Sequence, residues 1–477
     1  MALISASTVG SALQRAALLL FLLCVPAAAA SPRVGAGLGS RPNIVFILAD
    51  DLGWGDLGCY GQREIQTPHI DRLAREGIRF TRVYAGSTVC APSRCVLMTG
   101  RHTGHARVRG NLRVPLEPGD LTVAELLQRG GYRTGLSGKW GLGEEGSVGM
   151  PTRKGFDHFF GYLSQLHAHN YYPSFLIRGE ERVPLENQLG KSDPSGAGVA
   201  VVRKQYSTDL ILDDALNFIR RDDGRPFFLY LALTLPHANN EAGKEGLEVP
   251  ELGPYSNADW PENKKRFAAM VTRMDSAVGR VMELLRIRGV DAQTAVFFSS
   301  DNGPHREGGN DPTWFRSSGP FRGIKRDLFE GGIRVPMMVR WPGVIPGNRV
   351  SDQPWWFADF LPTCADLAGL RAPRGLDGRS VVSVLRGGDQ NWGQRGFYWE
   401  FHEGGFKQAA TVGDWKAIRS GLQGPLELYN LRSDPSETQD VAARHPREAA
   451  RLRSFLNGAR TDSEHWPVKP AVPANTP

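Results

Sequence analysis

Four apolar runs in this chain are continuous, not alternating, and each stops at a polar cluster. Ile44–Leu48 ends at Asp50-Asp51, Tyr132–Leu136 at Ser137-Gly138-Lys139, Phe227–Leu235 at Pro236-His237, and Ala295–Phe298 at Ser299-Ser300-Asp301-Asn302. A continuous β-rich run fits a strand buried on both faces, and helical patterns fall between the runs at Ile70–Glu76, Leu121–Gln128, Thr208–Arg220 and Lys264–Ile287. The alternation predicts an α/β fold with a mostly parallel sheet sandwiched by helices. Ligands of such sheets bind beyond the carboxyl ends of the strands, and every polar cluster lies at such an end, so the chain aims all four at one place. From about Arg371 the rhythm changes: Phe397–Phe401, Gln408–Val412, Trp415–Arg419 and Leu426–Leu431 are short and closely spaced. They predict a small antiparallel sheet, with a helix over Pro446–Leu456 packed on it and a polar, proline-rich tail beyond. Residues 178–204, polar and glycine-bearing without a clear period, read as a surface loop or insertion.

Length and composition narrow the class. A chain of 477 residues has room for two or three domains, or one large α/β domain with an appendage, and needs no disulfide or metal staple to fold. With 41% hydrophobic and 22% charged residues it is not disordered, collagenous or a multi-span membrane protein. The 56 glycines and 32 prolines place much of it in turns and shaped loops. Five cysteines are too few and too odd in number for a disulfide scaffold. The net charge of +7 favours anionic partners, but no lysine or arginine tract supports nucleic acid. Residues 1–30 carry one charge, Arg15, then an apolar run from Ala16 to Val25, Pro26 and four alanines. That is the pattern of a signal peptide cleaved after Ala30, too short to span a bilayer comfortably, so no stable membrane span is expected. Cys24 leaves with it. The absence of any Asn-x-Ser/Thr sequon points to an exported bacterial protein, periplasmic or secreted.

The strand-end clusters carry the chemistry. Asp50-Asp51 and, two hundred and fifty residues later, Asp301-Asn302 supply three carboxylates and an amide oxygen at one sheet edge. An all-oxygen set suits Ca2+, with Mg2+ the alternative, and does not suit zinc. In Cys90-Ala91-Pro92-Ser93-Arg94-Cys95, Pro92 is placed for the first turn of a helix running to about Met98, with Cys90 at its N-terminus, where backbone N–H groups favour anions. Three readings of Cys90 stay open on spacing alone: a zinc ligand, which wants a second close Cys or His pair; a thiolate nucleophile, which wants a histidine base; and a buried structural cysteine.

Cys-x-Pro-Ser-Arg followed by Leu97-Met98-Thr99-Gly100-Arg101 resembles the signature of the type I, arylsulfatase-like sulfatases, in which that cysteine is oxidised to Cα-formylglycine. The resemblance runs from Arg41-Pro42-Asn43-Ile44 to Leu428-Tyr429-Asn430-Leu431. It takes in Asp50-Asp51-Leu52-Gly53, Gly138-Lys139-Trp140, Leu235-Pro236-His237, Ser300-Asp301-Asn302-Gly303 and Gly323-Ile324-Lys325 leading to Glu330-Gly331-Gly332. It implies an alkaline-phosphatase-like catalytic domain over 41–370 and a C-terminal α+β subdomain and tail over 371–477. Asp50, Asp51, Asp301 and Asn302 would hold the cation, completed by one oxygen of residue 90 and one of the sulfate. Arg94 would keep residue 90 and the carboxylates in register. Lys139 and Lys325 would bind the sulfate and ester oxygens, and His237 would contact sulfate or protonate the leaving alcohol. An aldehyde hydrates to a geminal diol: one hydroxyl attacks sulfur, and deprotonating the other expels sulfate and restores the aldehyde, an exit that serine or cysteine lacks. The implied reaction is hydrolysis of sulfate esters, aryl sulfates as surrogates and a sulfated carbohydrate as natural substrate. The implied maturation partner is a formylglycine-generating enzyme.

One departure matters. Many sulfatases read Gly-Lys-Trp-His-Leu-Gly, whereas this chain has Gly141 at the histidine position, the usual candidate for the base that deprotonates the diol. Two histidines lie downstream in the aromatic segment 160–172, and His169 or His167 is expected to reach the site in its place. His102, His105, Arg107 and Arg109 are further expectations, as the lining of a pocket for a polyanion. Two other functions fit the same motifs: a phosphodiesterase or phosphonate hydrolase of the same superfamily, and a sulfated-glycan binding protein that has lost turnover.

Overall fold

The computed structural model describes residues 41–191, 193–388 and 393–468; the expected leader at 1–30 and the end of the tail lie outside them. In chain order the strands are β1 (Asn43–Ala49), β2 (Ile78–Tyr84), β3 (Arg133–Lys139), β4 (His158–Tyr162), β5 (Phe175–Arg178), β6 (Glu181–Pro184), β7 (Gln188–Leu189), β8 (Ala200–Val202), β9 (Phe227–Ala232), β10 (Thr294–Ser300), β11 (Arg334–Arg340), β12 (Arg349–Ser351) and β13 (Trp355–Trp356). All but the β7–β8 ribbon join one mixed sheet of order β12-β2-β11-β10-β1-β9-β3-β4-β5-β6, with β13 also on β2. Its centre, β10-β1-β9-β3-β4, is parallel. Antiparallel pairs flank it: β11 on β10 and β2 on one side, β5 on β4 and β6 on the other.

β1 shows why the apolar runs are continuous. Ile44, Phe46 and Leu48 face one core with residues of the helices Cys90–Thr99, Val123–Arg129 and Phe360–Leu367. Val45, Ile47 and Ala49 face a second core with Pro68–Glu76, Ser207–Arg220 and Glu262–Ile287. Each face removes every other side chain from water, so no position along the strand is left to be polar.

The expected loop at 178–204 is corrected by the structure: β5 and β6 extend the main sheet and β7 and β8 form a ribbon. Their alternation is hidden because arginines cover the aromatic faces, Arg178 lying 4.4 Å from the Phe160 ring centroid and Arg182 4.2 Å from that of Phe175.

The later strands, β14 (Gly396–Phe401), β15 (Lys407–Val412), β16 (Trp415–Ser420) and β17 (Leu426–Asn430), form an antiparallel sheet in chain order. The helix Pro446–Gly458 buries Leu452 and Leu456 against Tyr398, Ala410 and Leu428. Glu400 on β14 ties this sheet to the segment after the Cys90 helix. It accepts from Arg109 Nη1 at 3.0 Å, Arg460 Nε at 3.1 Å and the Tyr398 hydroxyl at 2.8 Å, and its Oε1 lies 3.0 Å from His402 Nε2. Burial works to raise its pKa, but the His402 bond and the two guanidiniums outweigh it and hold the carboxyl at about 2. The lowered value means that its stabilisation is present above the ordinary glutamate range, about pH 4.3, and fades as pH falls toward 2. Glu400→Gln is expected to lower the urea-unfolding free energy by about 3 kcal/mol at neutral pH, because buried Arg109 loses its counter-charge. That deficit should shrink on acidification through the same window; a pH-independent deficit contradicts the assignment.

Candidate active site

Parallel pairing sets the carboxyl ends of β10, β1, β9 and β3 side by side. Ala49 pairs with Ser300, so Asp50 and Asp301 leave the sheet together. Asp51 then turns through the left-handed region at φ 65°, held by its own N–H donating to Asp301 Oδ1 at 3.1 Å and by the Leu52 N–H donating to Ser300 Oγ at 2.9 Å. Asp50, Asp51, Asp301 and Asn302 thereby form one cluster fully closed to solvent.

Three cations and a helix end close around it. Cys90 is the first residue of the buried helix Cys90–Thr99, and its Sγ lies 3.4 Å from Asp50 Oδ1. One turn on, Arg94 donates through Nε and Nη2 to Asp301 Oδ2, at 3.1 and 2.8 Å, and through Nη1 to the Lys139 carbonyl at 2.8 Å. Lys139 Nζ meets Asp50 Oδ2 at 2.7 Å. Lys325 Nζ meets Asp51 Oδ2 at 2.7 Å, Glu307 Oε2 at 2.9 Å and His237 Nε2 at 3.2 Å. Without these counter-charges, three buried carboxylates would not ionise together.

The donor set suits a cation. Asn302 Nδ2 donates to Asp51 Oδ1 at 2.6 Å, which turns the amide oxygen the other way, and that Oδ1 is buried with no hydrogen-bond partner. A buried oxygen without a donor, beside carboxylates, has the form of a cation ligand. Burial, followed by the neighbouring Asp50 charge, raises Asp301 to about 7, so the cluster stores repulsion that a cation would relieve. Burial likewise pushes the Cys90 thiol well above its ordinary range, with Asp50 adding to the effect. The unmodified side chain is therefore a neutral thiol, which weighs against the thiolate reading. Burial and then Lys325 hold His237 well below the usual imidazole range. Its Nδ1 lies 2.6 Å from the Ala238 carbonyl, which assigns the proton to Nδ1 and leaves Nε2 to accept from Lys325.

Cys90, His237, Lys325, His169, Asn111 and Gln165 share a cleft of about 260 Å³. Of the two downstream histidines the structure brings only His169 to it. The His169 ring stacks on that of His237, centroids 4.8 Å apart, and its Nδ1 lies 3.2 Å from both Glu241 carboxylate oxygens. His167 is corrected: its Nε2 lies 3.0 Å from the Phe175 carbonyl and its ring packs on Tyr162 away from the cleft. The two sit two residues apart in a single 3₁₀ turn, where such neighbours point in different directions. The expected polyanion pocket is corrected as well. His102 and His105 face Asp377 at 3.6 and 3.0 Å, Arg107 bonds Glu117 at 3.0 Å and Arg109 bonds Glu400 at 3.0 Å, so these side chains are engaged in internal pairs outside the cleft.

Sequence reasoning missed Gln165, Glu307 and Asn111. Gln165 lies inside the aromatic segment already singled out, and its side chain takes the room a side chain at 141 would need. A Cβ on Gly141 would fall 1.9 Å from Gln165 Nε2, and Gly141 itself sits at φ 81°. Restoring the familiar histidine is therefore expected to harm the protein. Gly141→His should lower stability by at least about 1 kcal/mol through backbone strain alone, and lower turnover, as read from a thermal melt and kcat. A faster enzyme would refute this packing.

The family model for sulfatases matches residues 42–370. The chain belongs to the sulfatase family. A second model, the C-terminal part of N-sulphoglucosamine sulphohydrolase, matches residues 322–458. Among curated sulfatases, the N-acetylgalactosamine-6-sulfatase of Sus scrofa is 34% identical over 474 residues, covering 91% of this chain and 84% of that protein. Among solved structures, Ps i-CgsB superposes with a TM-score of 0.75 at 27% identity over 88% of this chain and 94% of its own, and it has also been solved in complex with k-i-k-neocarrahexaose. The phosphonate monoester hydrolase of Agrobacterium radiobacter, at 22% identity, a TM-score of 0.59 and coverage of 87% of this chain and 94% of its own, shares the fold. This sulfatase is thus a sulfuric ester hydrolase on an alkaline-phosphatase-like α/β scaffold. Among the described residues, no helix is long and apolar enough to cross a membrane.

Proposed function

We propose that the protein removes sulfate from a sulfated saccharide, with Cys90 converted to formylglycine and Ca2+ held by Asp50, Asp51, Asp301 and Asn302. The observation that carries this reading is the convergence of Lys139, Lys325 and His237 on the same buried oxygen cluster as Cys90. Formylglycine would supply a hydrated aldehyde able to attack sulfur and later release sulfate; the cation would offset charge on the sulfuryl oxygens. The chain's own residues do the rest. Arg94 fixes Asp301 and the end of β3, so Cys90 and the carboxylates cannot drift apart. Lys139 and Lys325 offer ammonium protons to oxygens on which charge develops. His237, whose Nε2 faces Lys325, would contact the sulfate or the leaving alcohol, and His169 would be the base in place of a histidine at 141.

A saccharide fits the cleft, whose wall carries the hydrogen-bonding side chains Asn111, Glu144, Gln165 and Asn240. It also agrees with the N-acetylgalactosamine-6-sulfatases among the relatives and with the k-i-k-neocarrahexaose bound by Ps i-CgsB. The proposed division is a leader at 1–30 for export, a catalytic domain at 41–370 and a C-terminal subdomain at 371–477, with a formylglycine-generating enzyme as maturation partner.

Fully matured protein should be tested against matched aryl sulfate and aryl phosphate esters and against a panel of sulfated oligosaccharides. Sulfate esters should be preferred, chelation should abolish turnover and Ca2+ should restore it. His169→Ala should cost about 100-fold in kcat while His167→Ala leaves kcat unchanged. Preference for the phosphate ester would favour the phosphodiesterase alternative.

A further inference from the structure

A second cleft, of about 590 Å³, shares no lining residue with the one around Cys90. Its walls are two loops, residues 54–64 and 314–320. Gln62 fastens one to the other. Its Nε2 donates to the Gly55 carbonyl at 3.2 Å and to the Phe315 carbonyl at 3.0 Å, while its Oε1 accepts from the N–H groups of Arg63 and Glu64 at 2.9 and 3.0 Å. Trp54 packs edge-on against Tyr60 and Phe321, with centroids 4.6 and 5.1 Å away. The cleft is therefore preformed, and a ligand would not have to pay for ordering it.

Three side chains on these walls are open to a ligand. Trp314 leaves 43% of its surface exposed, with Lys264 Nζ 5.8 Å from its ring centroid. Arg63 and Arg316 are exposed, and neither guanidinium has an ion-pair or hydrogen-bond partner among the described residues. Comparably exposed arginines elsewhere are paired: Arg153 with Glu180, Arg182 with Glu145 and Arg225 with Asp223. Arg316 also holds φ at 54°, a conformation a glycine would adopt at lower cost. In the same wall the Trp54 indole N–H is buried without an acceptor. Glu64 is the one carboxylate in the lining, so the cleft carries an excess of positive charge.

We propose that this cleft is a second binding site for an anionic saccharide, separate from the catalytic one. Trp314 offers a flat apolar face to the C–H side of a sugar ring, and the two guanidinium forks match the planar or tetrahedral oxygens of carboxylate or sulfate. Glu64 suits a hydroxyl group. A nucleic acid fits less well, because two cations beside a carboxylate do not track a run of phosphates. Such a site would hold a polymeric substrate on the enzyme while its sulfated end is processed. The saccharide class follows from the cleft itself; the polymer-holding role rests on the proposed function.

The test is affinity electrophoresis of the whole protein through gels containing chondroitin sulfate, unsulfated chondroitin or dextran, beside turnover of a small aryl sulfate. Wild type should be retarded by chondroitin sulfate and not by dextran; retardation by unsulfated chondroitin would show that carboxylate suffices. Trp314→Ala and the pair Arg63→Ala/Arg316→Ala should each weaken binding by about tenfold or more, the pair Arg129→Ala/Arg220→Ala by less than about twofold, and aryl sulfate turnover should be unchanged in all. No retardation of wild type, equal retardation of wild type and both cleft variants, or an equal loss in the control pair would overturn the site. Trp314-dependent retardation without any sulfatase turnover would leave the site standing and remove the proposed function.

Discussion

Cys90→Ala is expected to lower kcat for every sulfate ester by at least about 10⁴-fold, the loss that follows removal of a covalent nucleophile. The substitution should leave the fold intact. The Sγ it removes makes one polar contact, 3.4 Å to Asp50 Oδ1, and Asp50 keeps Lys139 at 2.7 Å and Arg94 at 3.6 Å. Cys90→Ser separates attack from release. A serine hydroxyl at the helix N-terminus would still reach sulfur, but with no second hydroxyl to expel the sulfate it should release one equivalent of alcohol and stop. A rapid-quench experiment reads this as a stoichiometric burst with no steady state. Sustained turnover by either variant would remove formylglycine chemistry from the proposal, and mass spectrometry of the Cys90 peptide from matured protein gives an independent check.

The centre of this site was legible because it is built where the sheet stops. β1 ends on two carboxylates and β10 on a carboxylate and an amide; neither pair alone marks a metal site, but together they read as one oxygen cluster, and the register of Ala49 with Ser300 brings them side by side. Pro92 made the helix start at Cys90 legible, but the spacing left the chemistry of that cysteine open, and only the resemblance of Cys-x-Pro-Ser-Arg to the sulfatase signature gave it a role. The rest depends on contacts with no local signature. Glu307 bonds Lys325 across 18 residues and Lys325 bonds Asp51 across 274, and nothing in the spacing of either marks the pair. Gln165 fills the room left by Gly141 only because β3 and β4 lie side by side. The charges at His102, His105, Arg107 and Arg109 misled for the opposite reason. Their basic character was visible, but their partners Asp377, Glu117 and Glu400 lie between 10 and 291 residues away. The strands β5 and β6 escaped because arginines stacked on aromatic rings read as a polar surface loop.

Lys325→Ala is expected to reduce kcat/KM for a sulfate ester by about 10² to 10³-fold, the range for removing one preorganised donor from a developing oxyanion. Lys325 is almost wholly buried, and Asp51 and Glu307 both hold its ammonium group. Burial opposes its charge, but those two carboxylates outweigh it and raise its pKa, so the side chain stays protonated at every working pH. Its contribution is therefore a fixed charge, not a proton shuttle, and the lost rate should not return on raising or lowering the pH. Lys325→Arg should rescue poorly, because a planar guanidinium cannot reproduce three short contacts converging on one point. Glu307→Gln offers the graded comparison. It keeps a side chain of the same shape beside Lys325 and Arg326 but removes the charge that holds both. Its cost should be smaller, about tenfold, and should fall mainly on kcat, since Glu307 positions the ammonium and does not line the cleft around Cys90. Steady-state kinetics of the three variants on one aryl sulfate decide the matter: a Lys325→Ala enzyme within tenfold of wild type would place the lysine in the fold and not in the chemistry.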